Sequence, residues 1–509
     1  MSRMLVCLLL FALALFLALA LPTAPAVAQE ETTVDYYTIK YGENGQKLWD
    51  VTFDSKSWDE AMAVAVDSEG NVIVTGRSRN GGNFDYYTIK YDKDGNQLWS
   101  KSFNGGGDDQ AMAVAVDSEG NVIVTGRSQI QHVYHMANET VGIGNGIETN
   151  YTLAHHPVIN GTEKIYLNDN LTTNYTIDNA TGKITFHTPP GALVNITADY
   201  DYEASNYDYC TIKYNGTDGS ELWAEPVIYD GGGGDCANGV AVDSDKNIIV
   251  TGYSYDGTNL NYCTIKYGTD GSEVWAEPAI YDSQSAGHTA HGHDQAQAIA
   301  VDKDDNIIVS GSSKDFGDET KWYLCTIKYH PNGTQFWAQP ATYNGSYKGE
   351  PWHTIAQGLA ADSAGDVIIT GCYYVPAYWE LKDGNYVYHM AEYNCYITIK
   401  YNGTDGSMLP GWPVVYDSGI YDCAHGVAVD SEDNIIVTGA SQRSPEAGVG
   451  GGGGLSTAAI AGIAVGATAG TGALAFLISR GRGKGQPAPR AERRRETRKA
   501  AKKRRKSKR

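Results

Sequence analysis

The chain lacks the short signatures on which catalysis is usually built. It has no Cys-x-x-Cys pair, no glycine-rich phosphate loop and no Ser/His/Asp arrangement, so no catalytic motif is found and the sequence is read as that of a non-enzyme. Positive charge is also scarce, except at one end. The chain holds 39 Lys and Arg against 60 Asp and Glu; 16 of the basic residues, with only Glu492 and Glu496 as acids, fall in 480–509. Setting these and Arg3 aside leaves 22 basic against 58 acidic residues, a net −36. Such a stretch repels nucleic acid and anionic surfaces and attracts cations only diffusely. Nucleic acid is not expected as a partner.

Long apolar runs are missing too, apart from two. Leu5 to Leu21 follows Arg3 and precedes the small-residue triplet Ala26, Val27, Ala28, the pattern of a cleavable export signal over 1–28. An uncleaved anchor is the alternative, and the chain beyond it is exported in either case. Leu455 to Ser479 runs 25 residues without a charge, enough for a helix to cross a hydrocarbon core of about 30 Å. With the basic tail 480–509 behind it, the positive-inside rule puts that tail in the cytoplasm and the preceding chain outside, a single-pass membrane protein. Gly462, Gly466 and Gly470 recur at four-residue spacing, a small-residue face suited to self-association. A glycine-rich linker, 442–454, joins the span to the rest.

What the chain has in quantity is repetition. Thr-Ile-Lys-Tyr occurs at Thr38, Thr88, Thr211, Thr264, Thr326 and Thr398, each time before a Gly turn. A second half-repeat, Ala-Val-Asp followed by a polar turn and Ile-Val-Thr-Gly or a close variant, is anchored at Ala65, Ala115, Ala241, Ala300, Ala360 and Ala428. Each half reads as a hairpin, because short β-prone runs flank Asp/Gly/Asn turns. Two hairpins of about 50 residues match one blade of a β-propeller. Taking the small-residue strand as innermost (A), the order outward is Ala-Val-Asp (A), Val-Ile-Val-Thr-Gly (B), Tyr-Thr-Ile-Lys-Tyr (C) and Leu-Trp (D). The chain opens with a C/D half and ends with an A/B half. We therefore expect an all-β, six-bladed propeller over 35–441 whose ends complete one blade, two strands against two. Seven blades would need another blade hidden in an insertion.

The segment 64–99, running from Val64 through Asp67, Gly76 and Tyr86 to Trp99, resembles the bacterial and archaeal beta-propeller repeat (SBBP) family. That resemblance implies a propeller displayed outside the cell and no single activity. The family is described as seven-bladed, from which six copies depart.

Connections between A and B and between C and D are short, whereas every long insertion falls on the other face of the expected disc. Gln129 to Asn206 and Val375 to Asn394 are B–C connections; Asp282 to Gln295 and Asn344 to His353 are D–A connections. Loops carry binding on rigid scaffolds, so this face is read as the binding face, with Tyr134, His135, Trp352, Trp379, Tyr388 and His389 as candidates. Tyr134 and His135 sit in a Val-Tyr-His-Met-Ala stretch echoed around Tyr388 and His389; leftover duplicated sequence is the competing explanation. Residues 138–204 are alternating short runs and form a small inserted β module. They resemble all-β modules of secreted and phage structural proteins, which implies an adhesive or spacer role.

Other chemistry is weighed against plain structure. His288, His291 and His293, with His353, offer imidazoles to a divalent metal such as Zn²⁺ or Cu²⁺, although loop histidines are ordinarily just solvated; no cofactor is otherwise implied. The Asp/Asn turns alternate oxygens as calcium loops do but are too short, and Asp and Asn favour turns anyway. The Leu-Trp units resemble the tryptophan-docking repeats of quinoprotein dehydrogenases; packing between blades accounts for them. Lys40, Lys90, Lys213, Lys266, Lys328 and Lys400 are expected to pair with the Asp ending each A strand. Cys372 and Cys395 flank one B–C insertion, and a disulfide between them would clasp it. Cys210, Cys263 and Cys325 share one repeat position. Glycosylation sequons lie at Asn138, Asn150, Asn160, Asn170, Asn174, Asn179, Asn195, Asn215, Asn332, Asn344 and Asn402.

The function these features point to is a surface-anchored propeller that binds protein or glycan in adhesion or as an envelope component. An extracellular enzyme acting on polysaccharide or a small molecule, and a coat subunit without ligand, are the alternatives.

Overall fold

The computed structural model describes residues 34–42, 44–283, 292–314, 322–343, 345–347, 350–351, 354–375, 378–382, 385–389, 393–416 and 421–442. The expected export signal, linker, membrane span and basic tail lie outside them. Among the described residues no helix is long and apolar enough to cross a membrane.

These residues form strands and turns almost throughout. β1 (Tyr36–Tyr41) and β2 (Lys47–Phe53) make a two-stranded sheet. The first four-stranded sheet is β3 (Asp59–Val66), β4 (Val72–Asn80), β5 (Asn83–Tyr91) and β6 (Gln97–Phe103), in that order. The second starts with β7 (Asp109–Val116) and β8 (Val122–Ile143). It then detours through β9 (Asn150–Thr152), β10 (Lys164–Leu167), β11 (Asn170–Thr172), β12 (Tyr175–Asp178) and β13 (Lys183–Phe186). It returns by β14 (Asn195–Tyr214) and finishes at β15 (Val227–Tyr229). The third comprises β16 (Cys236–Val242), β17 (Ile248–Tyr255), β18 (Leu260–Tyr267) and β19 (Ala279–Tyr281), and the fourth β20 (Asp294–Val301), β21 (Ile307–Lys314), β22 (Trp322–Tyr329) and β23 (Ala341–Tyr343). After a short ribbon, β24 (Ser346–Tyr347) with β25 (Glu350–Pro351), comes the fifth sheet. It holds β26 (Thr354–Ala361) and β27 (Val367–Val375), then, beyond a side hairpin of β28 (Tyr378–Lys382) and β29 (Asn385–His389), β30 (Tyr393–Tyr401) and β31 (Val414–Tyr416). β32 (Tyr421–Val429) and β33 (Ile435–Gln442) end the described chain as a second two-stranded sheet.

Each recurring residue of the repeat has a structural task. Consecutive inner strands β3, β7, β16, β20, β26 and β32 pack side by side, and their Ala and Gly residues permit that approach. Between B and C the threonines bond to each other: Thr75 to Thr88, Thr125 to Thr211 and Thr251 to Thr264, each at 2.8 Å. The first Tyr of strand C reaches the next sheet, as Tyr86 donates to the Cys210 carbonyl at 3.1 Å and Tyr262 to that of Cys325 at 3.1 Å. The Trp of strand D does the same from the rim: Trp99 Nε1 donates to the Gly216 carbonyl at 3.1 Å and Trp337 to that of Gly403 at 3.2 Å. Sheet-to-sheet stacking thus buries the oily faces that no single sheet could cover.

Two expectations need correction, and a third is not shown. Strand D is full length only in β2 and β6; in later sheets Pro226, Pro278 and Pro340 follow the Trp, and a residue without an N–H cannot continue the ladder. Second, Cys372 is bonded to Cys423, not to Cys395. The β27–β30 register sets Cys372 opposite Tyr396 and Cys395 opposite Tyr373, so the two cysteines point to opposite faces of the sheet. The real bridge staples the fifth sheet to β32. Closure of the ends into one blade is what is not shown: Thr38 and Ile39 pair with Val51 and Asp50, and Ile435 to Val437 with Val429 to Val427, each within its own hairpin. Among the described residues neither half-sheet pairs with the other. Ile436 is accordingly 54% exposed, while its counterparts Ile73, Ile123, Ile249, Ile308 and Ile368 are wholly buried.

Candidate functional site

The antiparallel order places the tight A–B and C–D turns at one end of each sheet and the B–C and D–A connections at the other. From that second end rises a ribbon where the sequence predicts a loop: β8 and β14, 22 and 20 residues long, stay paired from Val122 with Tyr214 to Ile143 with Asn195. Its outer part joins β9 to β13 around a separate core of Leu153, Ile165, Ile184, Phe186, Ile196 and Tyr200. Asn138, Asn150, Asn160, Asn170, Asn174 and Asn195 are exposed on this module, and Asn179 is half-buried. Of the other sequons, Asn332 is exposed, Asn215 and Asn402 are half-buried, and Asn344 lies outside the described residues.

Alternation along the ribbon gives it two faces. One carries Gln129, Gln131, Glu203 and Ser205, which with Gly105, Gly106, Gly107, Pro157 and Ala204 line a cleft of about 490 Å³. Gln131 donates to Glu203 at 2.7 Å and Gln129 to Ser205 at 3.1 Å. The cleft is therefore walled by amide, hydroxyl and carboxylate groups.

The other face carries His132, Tyr134, Asn206 and Asp208. His132 Nε2 lies 2.6 Å from Asp208, and its Nδ1 lies 3.4 Å from Asp230, which comes from the D–A connection after β15. Asp208 is fully buried. Burial raises its carboxyl well above the usual range, against the opposing bond from His132, and the charges of Asp230 and Asp235 push the same way. The second oxygen of Asp208 and the side-chain oxygen of Asn206 are buried without a hydrogen-bond partner.

Acidic corners of this kind recur. Asp59, Asp109, Asp235 and Asp294 begin successive inner strands, each fully buried, and hold the D–A connection by accepting from the backbone N–H of Ser55, Gly105, Gly231 and Ser283. Burial lifts Asp109 and Asp294 to about 6, although Ser128 and Gly105, and Ser313 and Ser283, bond to the charged forms. Asp35, Asp54 and Asp59 form a comparable all-acidic group. Only the second sheet, among the described residues, adds a histidine to such a corner.

The predicted site residues are scattered by comparison. Tyr134 stacks on Tyr202, ring centroids 5.5 Å apart, and accepts from Asn206 at 3.1 Å; His135 is exposed and bonds Asp201 at 2.6 Å. Trp379 and His389 belong to the β28–β29 hairpin, paired in backbone with Tyr388 and Tyr378. His293 accepts from the Leu260 N–H at 3.2 Å, and burial lowers its imidazole. His288, His291, His353 and Trp352 lie outside the described residues. Among the described residues His293 joins no group of three ligating side chains. Sequence reasoning misses His132, Asp208 and Asp230, although Asp208 occupies a repeated position, just before Tyr209 of the Thr211 motif, and is open to inspection there. Cys210, Cys263 and Cys325 are buried thiols.

No family model matches the chain. An uncharacterized WD repeat-containing protein of Acanthamoeba polyphaga mimivirus is 31% identical over 146 residues, covering 25% of this chain and 9% of that protein. The chain thus spans less than a tenth of that relative's length. Together with the five sheets of one design, this decides the broad class. The chain is a repeat β-protein. Solved structures similar to this repeat protein include a phage phi92 endosialidase (10% identity, 73% of this chain and 60% of that one, TM-score 0.29). The polysaccharide lyase Uly1 (12%, 79% and 81%, TM-score 0.35) and Sqt1 of Chaetomium thermophilum (11%, 70% and 86%, TM-score 0.27) are others.

Proposed function

We propose that the chain is a cell-surface propeller of the SBBP type, anchored by its C-terminal span, that binds protein or glycan through its connection-rich end and catalyses nothing. The observation that carries this is the one-sidedness: the 22-residue ribbon strand, its module and the β28–β29 hairpin all spring from B–C connections. A rigid stack that confines its elaboration to one end is built to present it. Within that end the 490 Å³ cleft offers Gln129, Gln131, Glu203 and Ser205, whose remaining donors and acceptors suit a hydroxyl-rich ligand. In the same proposal β32–β33 and β1–β2 complete a sixth blade. Support comes from what each half leaves unmatched, an exposed Ile436 on one and a Lys40 without its Asp on the other.

A glycan array and a pull-down with the full-length chain test the reading, repeated with residues 129–206 replaced by a two-residue turn. Binding lost with the insertion supports it. Binding that survives unchanged removes the ribbon as the recognition element, and turnover of an array sugar replaces binding by catalysis.

A further inference from the structure

We propose that His132 is a proton-operated clamp: one shared proton ties the ribbon of β8 and β14 to the connection that carries Asp230, and loss of that proton releases the connection. The clamp stands on the fold alone, whatever the ribbon binds. Its basis is that the two ring nitrogens face different carboxylates, Nε2 toward Asp208 at 2.6 Å and Nδ1 toward Asp230 at 3.4 Å.

The neighbouring sheets show what is unusual here. Asn83, Asn206 and Asn259 stand two residues ahead of Asp85, Asp208 and Asn261. Each gives its amide to a carbonyl of the following D–A connection: Gly107, Gly233 at 2.5 Å and Gly292 at 2.8 Å. In the first and third sheets the same amide also serves the residue two places on, Asp85 at 3.3 Å and Asn261 at 2.8 Å. In the second sheet Asn206 turns to Tyr134 instead, and Asp208 is served by His132. A partner that cannot titrate is thus replaced by one that can.

Counting protons gives the mechanism. An imidazolium donates Nε2–H to Asp208 and Nδ1–H to Asp230; a neutral imidazole beside a protonated Asp208 accepts at Nε2 and still donates from Nδ1. One proton, on either partner, therefore satisfies both contacts. Once it leaves, a single N–H faces two carboxylates. Asp208 is fully buried and Asp230 keeps a third of its side chain exposed. The N–H stays with Asp208, where an unmet charge costs more, and a lone pair meets Asp230. Asp230 then turns to water and gives up the Gly232 N–H that it accepts at 2.7 Å.

The other ionisable groups at this corner are Asp235 on β16, Tyr134 on β8 and Tyr202 on β14; Asp235 adds to the repulsion. Burial, opposed by the His132 bond and helped by Asp230 and Asp235, lifts Asp208 to about 7, against about 4 in an unfolded chain. The clamp's contribution is therefore complete below about pH 4 and is lost as pH rises through about 7.

Hydrogen–deuterium exchange of the full-length chain, read by mass spectrometry and corrected for the intrinsic pH dependence of exchange, tests this in the segment 230–234. Protection there is expected to fall at least fivefold further between pH 6 and 8 in the parent than in His132→Gln, whose side chain does not titrate. Asp235 is common to both chains, so the difference belongs to His132. Asp230→Asn meets the lone pair with an N–H and is expected to keep its protection at pH 8. Circular dichroism and melting establish that the variants fold; should His132→Gln not fold, Asp230→Asn alone decides. The proposal is overturned if the parent falls no further than His132→Gln, or if Asp230→Asn loses protection as the parent does.

Discussion

Lys90 Nζ lies 2.8 Å from Asp67, with only 5% and 4% of the two side chains exposed. The pair joins strand C to the turn that succeeds strand A of the same sheet. It recurs as Lys213–Asp117 (3.1 Å), Lys266–Asp243 (2.8 Å), Lys328–Asp302 (2.9 Å) and Lys400–Asp362 (2.5 Å). The lysine does more than neutralise. Lys90 also donates to the Gly216 carbonyl of the next sheet at 2.7 Å, so one ammonium ties a turn, a strand and a neighbour together. Burial pushes Asp67 up, but the bonds from Lys90 and Asn71 outweigh it and hold the carboxyl below its ordinary value. Removing one member strands the other in a dry site, which costs about 3–5 kcal/mol. Lys90→Met is expected to lower the unfolding free energy by that order in urea titration, and Lys90→Met with Asp67→Leu to lose less. Equal losses would mean that the charge pairing is not what matters.

The sixth pair is the exception. Lys40 donates to the Lys93 carbonyl at 3.1 Å, the same link to the next sheet, yet makes no ion pair with Asp430 among the described residues. Asp430 keeps only the bond from Asn434, at 2.8 Å, that Asp67 receives from Asn71 beside its lysine. If the two half-sheets complete one blade, Thr38→Cys with Ile436→Cys should be bridged within a single chain by a short bifunctional maleimide at high dilution. Gel mobility and mass then report an intramolecular loop. Cross-linking that appears only at high concentration, and only between chains, excludes closure.

Much of this architecture is legible in the sequence because its determinants are local. The Asp/Gly/Asn turns define each hairpin within a dozen residues, and Thr-Ile-Lys-Tyr names its own contacts: hydroxyl to hydroxyl, ammonium to turn. Register is not legible. His132 meets Asp208 across 76 residues, and only because the ribbon pairs Ser128 with Asp208 and His132 with Ala204. A slip of one residue would put those side chains on opposite faces. The partner of Cys372 is missed for the same reason, since sequence proximity to Cys395 says nothing about which face each occupies. The edges at β1 and β33 are beyond reach because any two unpaired edges look equally able to join.

The Cys372–Cys423 bridge gives a check on the stacking order. It closes 51 residues, for which chain entropy gives about 4 kcal/mol. Cys423→Ser is expected to lower stability by up to that amount in urea titration and to make β32–β33 the first segment to lose amide protection. Peptide mapping under non-reducing conditions should recover Cys372 joined to Cys423. A Cys372–Cys395 peptide would sink the assignment.

The buried inner-strand carboxylates make stability depend on pH in a definite sense. Asp109 is raised to about 6, chiefly by burial, with Ser128 and the Gly105 N–H opposing and Asp85 adding. In the unfolded chain an Asp titrates near 4. Between pH 4 and 6 the folded protein therefore holds a proton that the unfolded chain has released, so stability from this group is greatest below pH 4. It falls as pH rises and is lost above 6, a change of about 3 kcal/mol. Asp109→Asn keeps an acceptor for Gly105 and has no charge to bury. Relative to the parent, the variant should thus gain stability as pH moves from 4.5 to 6.5. The difference between the two, taken by urea titration at each pH, cancels the other carboxyls common to both chains. A difference that stays flat would show that Asp109 is already ionised across the range, its charge carried by Ser128 and the loop N–H.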